Sequence, residues 1–222
     1  QRPGQLDNDV PLTVYDREGS RFVMNNLAPM ISESFIRFDP ASNPCIGNPP
    51  SDVCYRVRVY SISVTLPINV KGYTVAYQRC CRIANIRNLV SPSDAVGATY
   101  MAEIPGTEVI SDAYTNNSPQ YQGNDASAIC RNSAFTLSFN AKQLPADVAK
   151  GDSIVYQFCG GMIGASTDQP LPPQASAPSY PQLSYQSPFR ATAPLGGQVN
   201  IDPHTGVITG IAPSLLGQYV IT

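Results

Sequence analysis

The sequence contains no tryptophan, a single histidine and few charged residues. Only 14% of its 222 residues are charged, whereas an average soluble domain has about 25%. Lys and Arg number 14 against 16 Asp and Glu, so the formal net charge is −2, and the positive charge typical of nucleic-acid-binding proteins is missing. No apolar run approaches the roughly 20 residues of a membrane-spanning helix. These shortages argue against nucleic-acid binding and against a membrane-spanning segment.

Six cysteines are present without a repeated Cys-x-x-Cys pattern. An even count of this kind favours disulfides over metal ligands, and disulfides persist outside the cytoplasm. We therefore expect an extracellular or cell-surface protein. Because the first residues lack the basic and apolar regions of a signal peptide, we expect a processed or internal piece of a longer protein.

Strand patterns recur along the chain, while helical periodicity is nearly absent. Short alternating segments separated by turn residues are typical of β-sandwiches and barrels. In the longest segment the apolar positions change face near Tyr60, which indicates a bulge or a sheet corner. The predicted strands cover residues 10–16, 33–39, 54–67, 72–80, 98–104, 133–141, 152–159, 199–201, 207–209 and 219–222.

A polar stretch at residues 111–127 contains no core-like strand and divides the chain into two predicted all-β domains. They cover residues 1–115 and 116–222 and join near Asn116. The only helical pattern, at residues 141–149, is interrupted by Pro145. A long proline-rich segment at residues 160–188 is expected to be extended and to lie outside the core.

Several motifs occur together in a fixed order. The sequence LPINVKGYTVAYQRCCRIANIRNL at residues 66–89 is followed by NSPQY at 117–121, CRN at 130–132, GDSIVY at 151–156 and IDPHTG at 201–206. From about residue 45 onward the chain resembles very large secreted proteins of Bacteroidota that carry a gliding-motility-associated C-terminal sorting domain.

This resemblance implies export by the type IX secretion system and an adhesin-like, often filamentous protein. The second half is also similar to cadherin and other Ig-like repeats, so the expected fold is a pair of Ig-like or cadherin-like β-sandwich modules with long Pro-rich loops. The N-terminal 40 residues match the family poorly.

The resemblance also implies an acidic loop that is a candidate calcium site. Asp147 and Asp152 retain its acidic positions, but Lys150 stands where an acidic residue or glycine is expected. Calcium prefers six to eight oxygen ligands, and a lysine among them lowers affinity. The interpretation we favour is that these aspartates cap turns.

The residues themselves suggest one disulfide directly. Cys45 and Cys54 flank a loop with a glycine and two prolines, and a bridge there would contribute about 2–3 kcal/mol through the unfolded state.

The other four cysteines leave the pairing open. Cys80 and Cys81 are adjacent, so in a strand their side chains point to opposite faces and need separate partners. Cys130 and Cys159 are the candidates, in either combination, and such bridges would join the two modules. A zinc site is disfavoured by the spacing and by the single histidine.

No catalytic residue is predicted, and we expect a protein that is not an enzyme. His204 lies in a DPHTG turn, no Gly-x-Ser-x-Gly motif frames a nucleophile, and the four glutamates lie in or beside strands or turns.

Two tyrosines of the proline-rich segment, Tyr180 and Tyr185, are candidate binding residues, because tyrosine among small polar residues makes rigid, amphipathic contacts. Alternatively, their rings hold the segment against its own sandwich. The function we expect is structural or adhesive, within a large exported surface or filament protein whose partners are other modules of the same chain or other surface proteins. The alternative is a carbohydrate-binding module that presents this segment to glycans.

Overall fold

The computed structural model describes residues 6–37, 54–122 and 127–222, and nearly all its regular elements are β-strands. All pairings between them are antiparallel, which confirms the predicted all-β fold. The first sheet has the order β3-β2-β1-β4-β5. Its strands are β1 (Asp9–Asp16), β2 (Phe22–Arg37), β3 (Cys54–Tyr60), β4 (Gly72–Arg79) and β5 (Ala98–Pro105).

Two smaller sheets form the second half. Its elements are β6 (Gln120–Tyr121), β7 (Ala134–Ser138), β8 (Ala141–Lys142), the helix α1 (Pro145–Ala149), β9 (Val199–Ile201) and β10 (Val207–Ile211). The three-stranded sheet has the order β7-β10-β9, and β6 pairs with β8. Leu195, Val199 and Ile208 form the buried core of this half, and Val199 and Ile208 belong to the three-stranded sheet.

The central strand β1 is buried on both faces. Thr13, Val14 and Tyr15 are consecutive, yet all three are buried. Thr13 pairs with Asn25 of β2 on one side and with Ala76 of β4 on the other. Consecutive side chains of a strand point to opposite faces of the sheet. Because all three are buried, other parts of the protein cover both faces of the sheet at β1.

The long strand β2 changes partner halfway along. Residues 22–29 pair with β1, whereas residues 30–37 pair with β3, and the register shifts between Met30 and Ser32. The predicted strand at 33–39 was therefore too short at its start. The predicted strand at 54–67 was too long, because β3 ends at Tyr60, where the apolar pattern changes face.

The structure differs from the predicted elements at two further places, the helix α1 and two of the predicted strands. Pro145 begins α1 instead of interrupting a helix, since the first helical position needs no backbone N–H donor. Residues 152–159 and 219–222 form no regular strand, although Cys159 N donates to Thr222 O at 2.8 Å.

Contacts between the two predicted domains are extensive. Ile86 and Leu89 pack with Leu183 in one buried cluster, and Val220 packs against it. The first two residues come from the first half of the chain and the others from the second. The boundary near Asn116 stays a prediction.

Candidate interaction surface

The proline-rich segment lies against one face of the first sheet. Its Ala175 is 2% exposed and donates its N–H to Thr13 Oγ1 at 2.9 Å. The hydroxyl of Tyr15 donates to Ala175 O, and Asn25 Nδ2 donates to Pro173 O at 2.7 Å. The sheet therefore holds this segment with polar side chains of β1 and β2.

A buried glutamine extends the same attachment toward β5. Gln78 Nε2 donates to Thr99 Oγ1 at 2.9 Å and to Ser176 Oγ at 2.8 Å, and Ser176 N donates back to Gln78 Oε1 at 3.0 Å. Thr99 Oγ1 in turn donates to Ile163 O at 2.8 Å. These bonds satisfy buried polar groups that would otherwise be costly, so the predicted position of this segment outside the core was wrong around residue 175.

Both candidate binding tyrosines have their hydroxyls buried. Neither the Tyr180 nor the Tyr185 hydroxyl has a hydrogen-bond partner in the described part of the chain. Tyr185 packs against the cluster of Ile86, Leu89 and Leu183, and burial raises the pKa of Tyr180 to about 12. This packing favours the alternative in which the rings hold the segment in place, and a binding role for them stays a prediction.

At the β3 edge of the first sheet, residues 30–37 of β2 and 54–60 of β3 form a two-stranded arm. Glu33 lies opposite Arg58 and forms an ion pair with it. The hydrogen bond that Arg58 donates to Glu33 raises the pKa of the Arg58 guanidinium above its ordinary value. The same guanidinium donates to Leu6 O at 2.9 Å and to Asp7 O at 2.8 Å. One face of the arm is therefore charged and partly covered by the chain before β1.

The opposite face of the arm is uncharged and open to solvent. Ser32 pairs with Val59 and Ser34 with Val57, so the four side chains share one face, which we call the valine face. Val57 is 37% exposed and Val59 46%. Because β3 is the last strand of the sheet order, the valine face borders a sheet edge. Exposed apolar patches and sheet edges are where proteins contact partners, which makes this the candidate interaction surface.

The sequence contains a signal for the valine face. Val57 and Val59 alternate with Arg56 and Arg58, which identifies a strand with one aliphatic and one charged face. The pattern alone does not distinguish a core face from an exposed one.

The adjacent cysteines are bonded to each other in the structure. The prediction that Cys80 and Cys81 need separate partners was wrong, because it assumed strand geometry. Strand β4 ends at Arg79, so both cysteines lie beyond it and the alternation of side chains along a strand does not apply to them.

The remaining cysteines do not form the predicted bridges between the modules. Cys159 is free and exposed. Cys130 is disulfide-bonded. Cys45 and the side chain of Cys54 lie outside the described residues, so their predicted pairing is untested.

The two calcium candidates, Asp147 and Asp152, lie in α1 and just after it. Asp147 is 2% exposed, and its Oδ1 accepts a 3.4 Å hydrogen bond from Asn117. Asp152 contacts Asp147 through its backbone N–H. Across the described ranges, no three His, Cys, Asp or Glu side chains are grouped as metal ligands. Calcium binding stays a prediction.

Lys150 directs its charge to the segment before β6. Its Nζ lies 3.0 Å from Asp112 Oδ2 and donates to Thr115 Oγ1 at 2.6 Å. The hydrogen bond from Lys150 lowers the pKa of Asp112. The ammonium thus fastens α1 to residues 112–115.

His204 lies in an exposed turn between β9 and β10. Its backbone N–H and that of Thr205 donate to Asp202 Oδ1 at 2.9 and 2.8 Å, and the bonds from Thr205 and His204 lower the pKa of Asp202. The carboxylate acts here as a turn-forming acceptor.

Comparisons with known proteins add no assignment. No helix among the described residues is both long and apolar enough to cross a bilayer. No protein-family model matches the sequence, and no curated protein or solved structure matches it either.

Proposed function

We propose that the chain is a structural or adhesive part of a large exported surface or filament protein, built from β-sandwich modules of Ig-like or cadherin-like type. The observation that carries this proposal is the valine face at the edge of the first sheet. An aliphatic face beside an edge strand suits contact with another protein or surface, through side chains and through strand pairing.

The attachment of the proline-rich segment supports a load-bearing role. Thr13, Tyr15 and Gln78 fix residues 174–176 to β1 and β4. Force on one half of the chain would therefore act on hydrogen bonds spread over several strands. The low charge agrees with an uncharged contact surface, and the cysteine count agrees with export.

Adhesion of protein-coated beads under flow tests the role of the valine face. We compare Val57→Ser/Val59→Ser with Val64→Ser/Val70→Ser, which removes two exposed valines outside the arm. On apolar-coated glass we expect the first variant to lose attachment several-fold and the second to match the parent. Equal loss in both, or no loss in either, contradicts the proposal.

A glycan array tests the alternative, carbohydrate binding. Binding that disappears in Tyr180→Ala and Tyr185→Ala would favour the alternative over adhesion through the arm.

Antibody labelling of intact cells that produce the protein tests export, because a cytoplasmic protein stays unlabelled until the cells are lysed.

A further inference from the structure

A polar pocket lies where the end of the proline-rich segment meets the three-stranded sheet. Its volume is about 410 Å³, within the range of about 300–1,000 Å³ typical of ligand sites. Its walls come from residue 132 and from residues 186–189, 195–198, 211–215 and 219. Among the described residues that line it, none carries a charge, so a charged ligand would lose its hydration without gaining a partner of opposite charge.

Four polar side chains of the lining are available to a ligand. They are the amides of Asn132 and Gln198 and the hydroxyls of Ser187 and Ser214. All four side chains are exposed, and none has a hydrogen-bond partner among the described residues. Exposed groups of this kind bond to water, and the hydroxyls of a ligand can replace that water at little cost. The lining therefore offers both donors and acceptors.

The backbone fixes the position of the Asn132 amide. Asn132 has a φ of 55°, in the left-handed region that residues other than glycine seldom adopt. Asn132 N donates to Ala212 O at 3.1 Å, and Ala212 N donates to Ser133 O at 3.0 Å. The residue after β10 thus holds Asn132 in a conformation of a kind that is concentrated at functional sites.

Bare backbone forms another part of the lining. A Cβ at Gly196 or at Gly197 would meet no atom within 4 Å, so a ligand can approach the main chain closely there. The turn is fixed, because Gly196 N donates to Ala193 O at 3.1 Å and Val199 N donates to Gly196 O at 3.3 Å. The N–H groups of Gly197 and Gln198 have no backbone acceptor among the described residues and are two further donors.

Two aromatic rings contribute to the apolar part of the lining. The ring centroids of Phe189 and Tyr219 lie 5.7 Å apart at 74°, which is an edge-to-face pair. The Tyr219 hydroxyl donates to Leu215 O at 2.8 Å, which fixes the orientation of its ring. Because aromatic faces carry partial negative charge, they attract the weakly positive C–H groups of a sugar ring.

Other classes of occupant fit this lining less well. An apolar ligand would remove water from the four polar side chains without replacing their hydrogen bonds. A peptide strand would need a free sheet edge, but Ile211 is the strand residue in the lining, and its strand β10 is already paired with β7 and β9. The chain after Tyr219 leads away from the pocket, since Val220 N donates to Asn88 Oδ1 and Thr222 Oγ1 donates to Cys159 O.

We propose that this pocket binds a neutral saccharide. A sugar ring stacks on the pair of Phe189 and Tyr219. Its hydroxyl groups bond to the amides of Asn132 and Gln198 and to the N–H of Gly197. Aromatic rings beside amide donors and acceptors supply both kinds of contact that a neutral sugar makes.

The site is distinct from the two surfaces already described. Its lining contains no residue of the valine face, and neither Tyr180 nor Tyr185 belongs to it. The proposal does not rest on the adhesive function, so either can fail while the other holds.

NMR titration of the isotope-labelled protein tests the site. The probes are maltotriose, cellotriose and triacetylchitotriose, which are neutral and differ in linkage and substituents. At about 10 mM, about ten times a Kd of about 1 mM, we expect at least one probe to shift the side-chain amide signals of Asn132 and Gln198 and the backbone amide signal of Gly197. Magnetisation transfer between the Phe189 and Tyr219 rings and the sugar locates the stacked ring.

Two asparagines with a positive φ give a matched pair of variants. Asn132→Gly removes one amide of the lining without straining the backbone, because glycine adopts a positive φ freely. Asn85→Gly is the control, since Asn85 has a φ of 62° and is exposed outside the pocket. We expect Asn132→Gly to weaken saccharide binding about three- to tenfold, the share of one hydrogen bond, and Asn85→Gly to bind like the parent.

Two phenylalanines give a second pair. Phe189→Leu keeps an apolar side chain in the lining but removes its aromatic face. Phe22→Leu is the control, because Phe22 forms the same kind of edge-to-face pair with Tyr15 outside the pocket. We expect Phe189→Leu to weaken saccharide binding about fivefold and Phe22→Leu to leave it unchanged.

Three results would overturn the proposal. One is that no probe shifts the signals of Asn132, Gln198 and Gly197; shifts confined to Tyr180 and Tyr185 count here and favour the alternative function. Another is a Kd that is the same in both members of each variant pair. The last is a neutral peptide of serine, asparagine and glutamine that binds the pocket at least as tightly as the saccharides, which would assign it to a polypeptide.

Discussion

The side-chain amide of Asn88 bonds the backbone of Val220 on both its donor and its acceptor side. Asn88 Nδ2 donates to Val220 O at 2.7 Å, and Val220 N donates to Asn88 Oδ1 at 3.0 Å. Asn88 Nδ2 also donates to Pro194 O at 2.8 Å. A fully buried side chain thus replaces a neighbouring strand and links three segments that are distant in sequence.

Asn88→Asp keeps the shape of this side chain but removes both donated bonds. Two carbonyl oxygens would then face a buried carboxylate, so we expect the free energy of unfolding at neutral pH to fall by about 3 kcal/mol. Urea denaturation measures the loss. Asn200→Asp, on the exposed side of β9, is the control and should change stability little. Similar losses in both variants would show that Asn88 has no special role.

Two tyrosines, Tyr15 and Tyr180, differ in how their hydroxyls are satisfied. The Tyr15 hydroxyl donates to Ala175 O and accepts from Gln174 Nε2 at 3.2 Å, whereas the Tyr180 hydroxyl has no partner among the residues that the structure describes. We expect Tyr15→Phe to cost about 1–2 kcal/mol, because Ala175 O loses its donor. Tyr180→Phe should cost nothing or stabilise slightly. Thermal denaturation of both variants measures the two stability losses. A larger loss in Tyr180→Phe than in Tyr15→Phe would contradict this prediction.

The raised pKa of Tyr180 predicts a stability change at alkaline pH. In the folded protein this phenol titrates near pH 12, whereas in the unfolded chain it titrates near pH 10. Below about pH 10 both states keep the proton, so stability does not depend on this group. As the pH rises from about 10 to 12, only the unfolded state ionises, and stability falls. Tyr180→Phe should show a smaller fall over that window in urea titrations, and an equal fall would contradict the assignment.

Strands β1, β4, β5, β9 and β10 could be predicted from the sequence with small errors at their ends. Each has alternating or β-branched residues and is bounded by turn residues, so local chemistry determines it. The first half of β2 was missed because Asn25 and Asn26 interrupt its apolar pattern. Asn25 accepts from Thr13 and donates to Pro173, so its polarity serves contacts that no local pattern encodes.

Long-range contacts explain the errors at the candidate sites. The proline-rich segment has a loop-like composition, yet Ala175 is buried because Thr13 and Tyr15 of β1 bind its backbone. The exposure of Val57 and Val59 depends on which strand lies last in the sheet. Both features follow from the topology, which the sequence pattern left open.

The cysteine pairing predicts which thiol reacts. Cys159 is exposed and free, whereas Cys80 and Cys81 are bonded to each other. Treatment of the unreduced native protein with iodoacetamide should alkylate Cys159 nearly completely. A tryptic map by mass spectrometry should show Cys80 and Cys81 unmodified and two hydrogens lighter than the dithiol. A disulfide-linked peptide that joins Cys159 to Cys80 or Cys81 would contradict this pairing.

Gly164 allows the close approach between β5 and the proline-rich segment. A Cβ at this position would collide with Thr99 Oγ1 and lie 2.5 Å from Gln78 Nε2, the two groups whose hydrogen bonds hold residues 163 and 176. Gly164→Ala should therefore lower the unfolding free energy by about 2 kcal/mol, because one of these bonds must break or the backbone must shift.

Gly197→Ala is the matched control for that substitution. A Cβ at Gly197 would meet no atom within 4 Å, so this variant should be neutral or gain up to about 1 kcal/mol from the less flexible unfolded chain. Urea denaturation of both variants measures the difference, and hydrogen exchange at Ser176 N–H, which donates to Gln78, locates it. In Gly164→Ala we expect Ser176 N–H to exchange faster than amides in the centre of β1, because the attachment of the segment is weakened. In Gly197→Ala we expect no such difference. If Gly164→Ala destabilises the protein but Ser176 N–H exchanges no faster than the amides of β1, the loss does not come from the attachment of the segment.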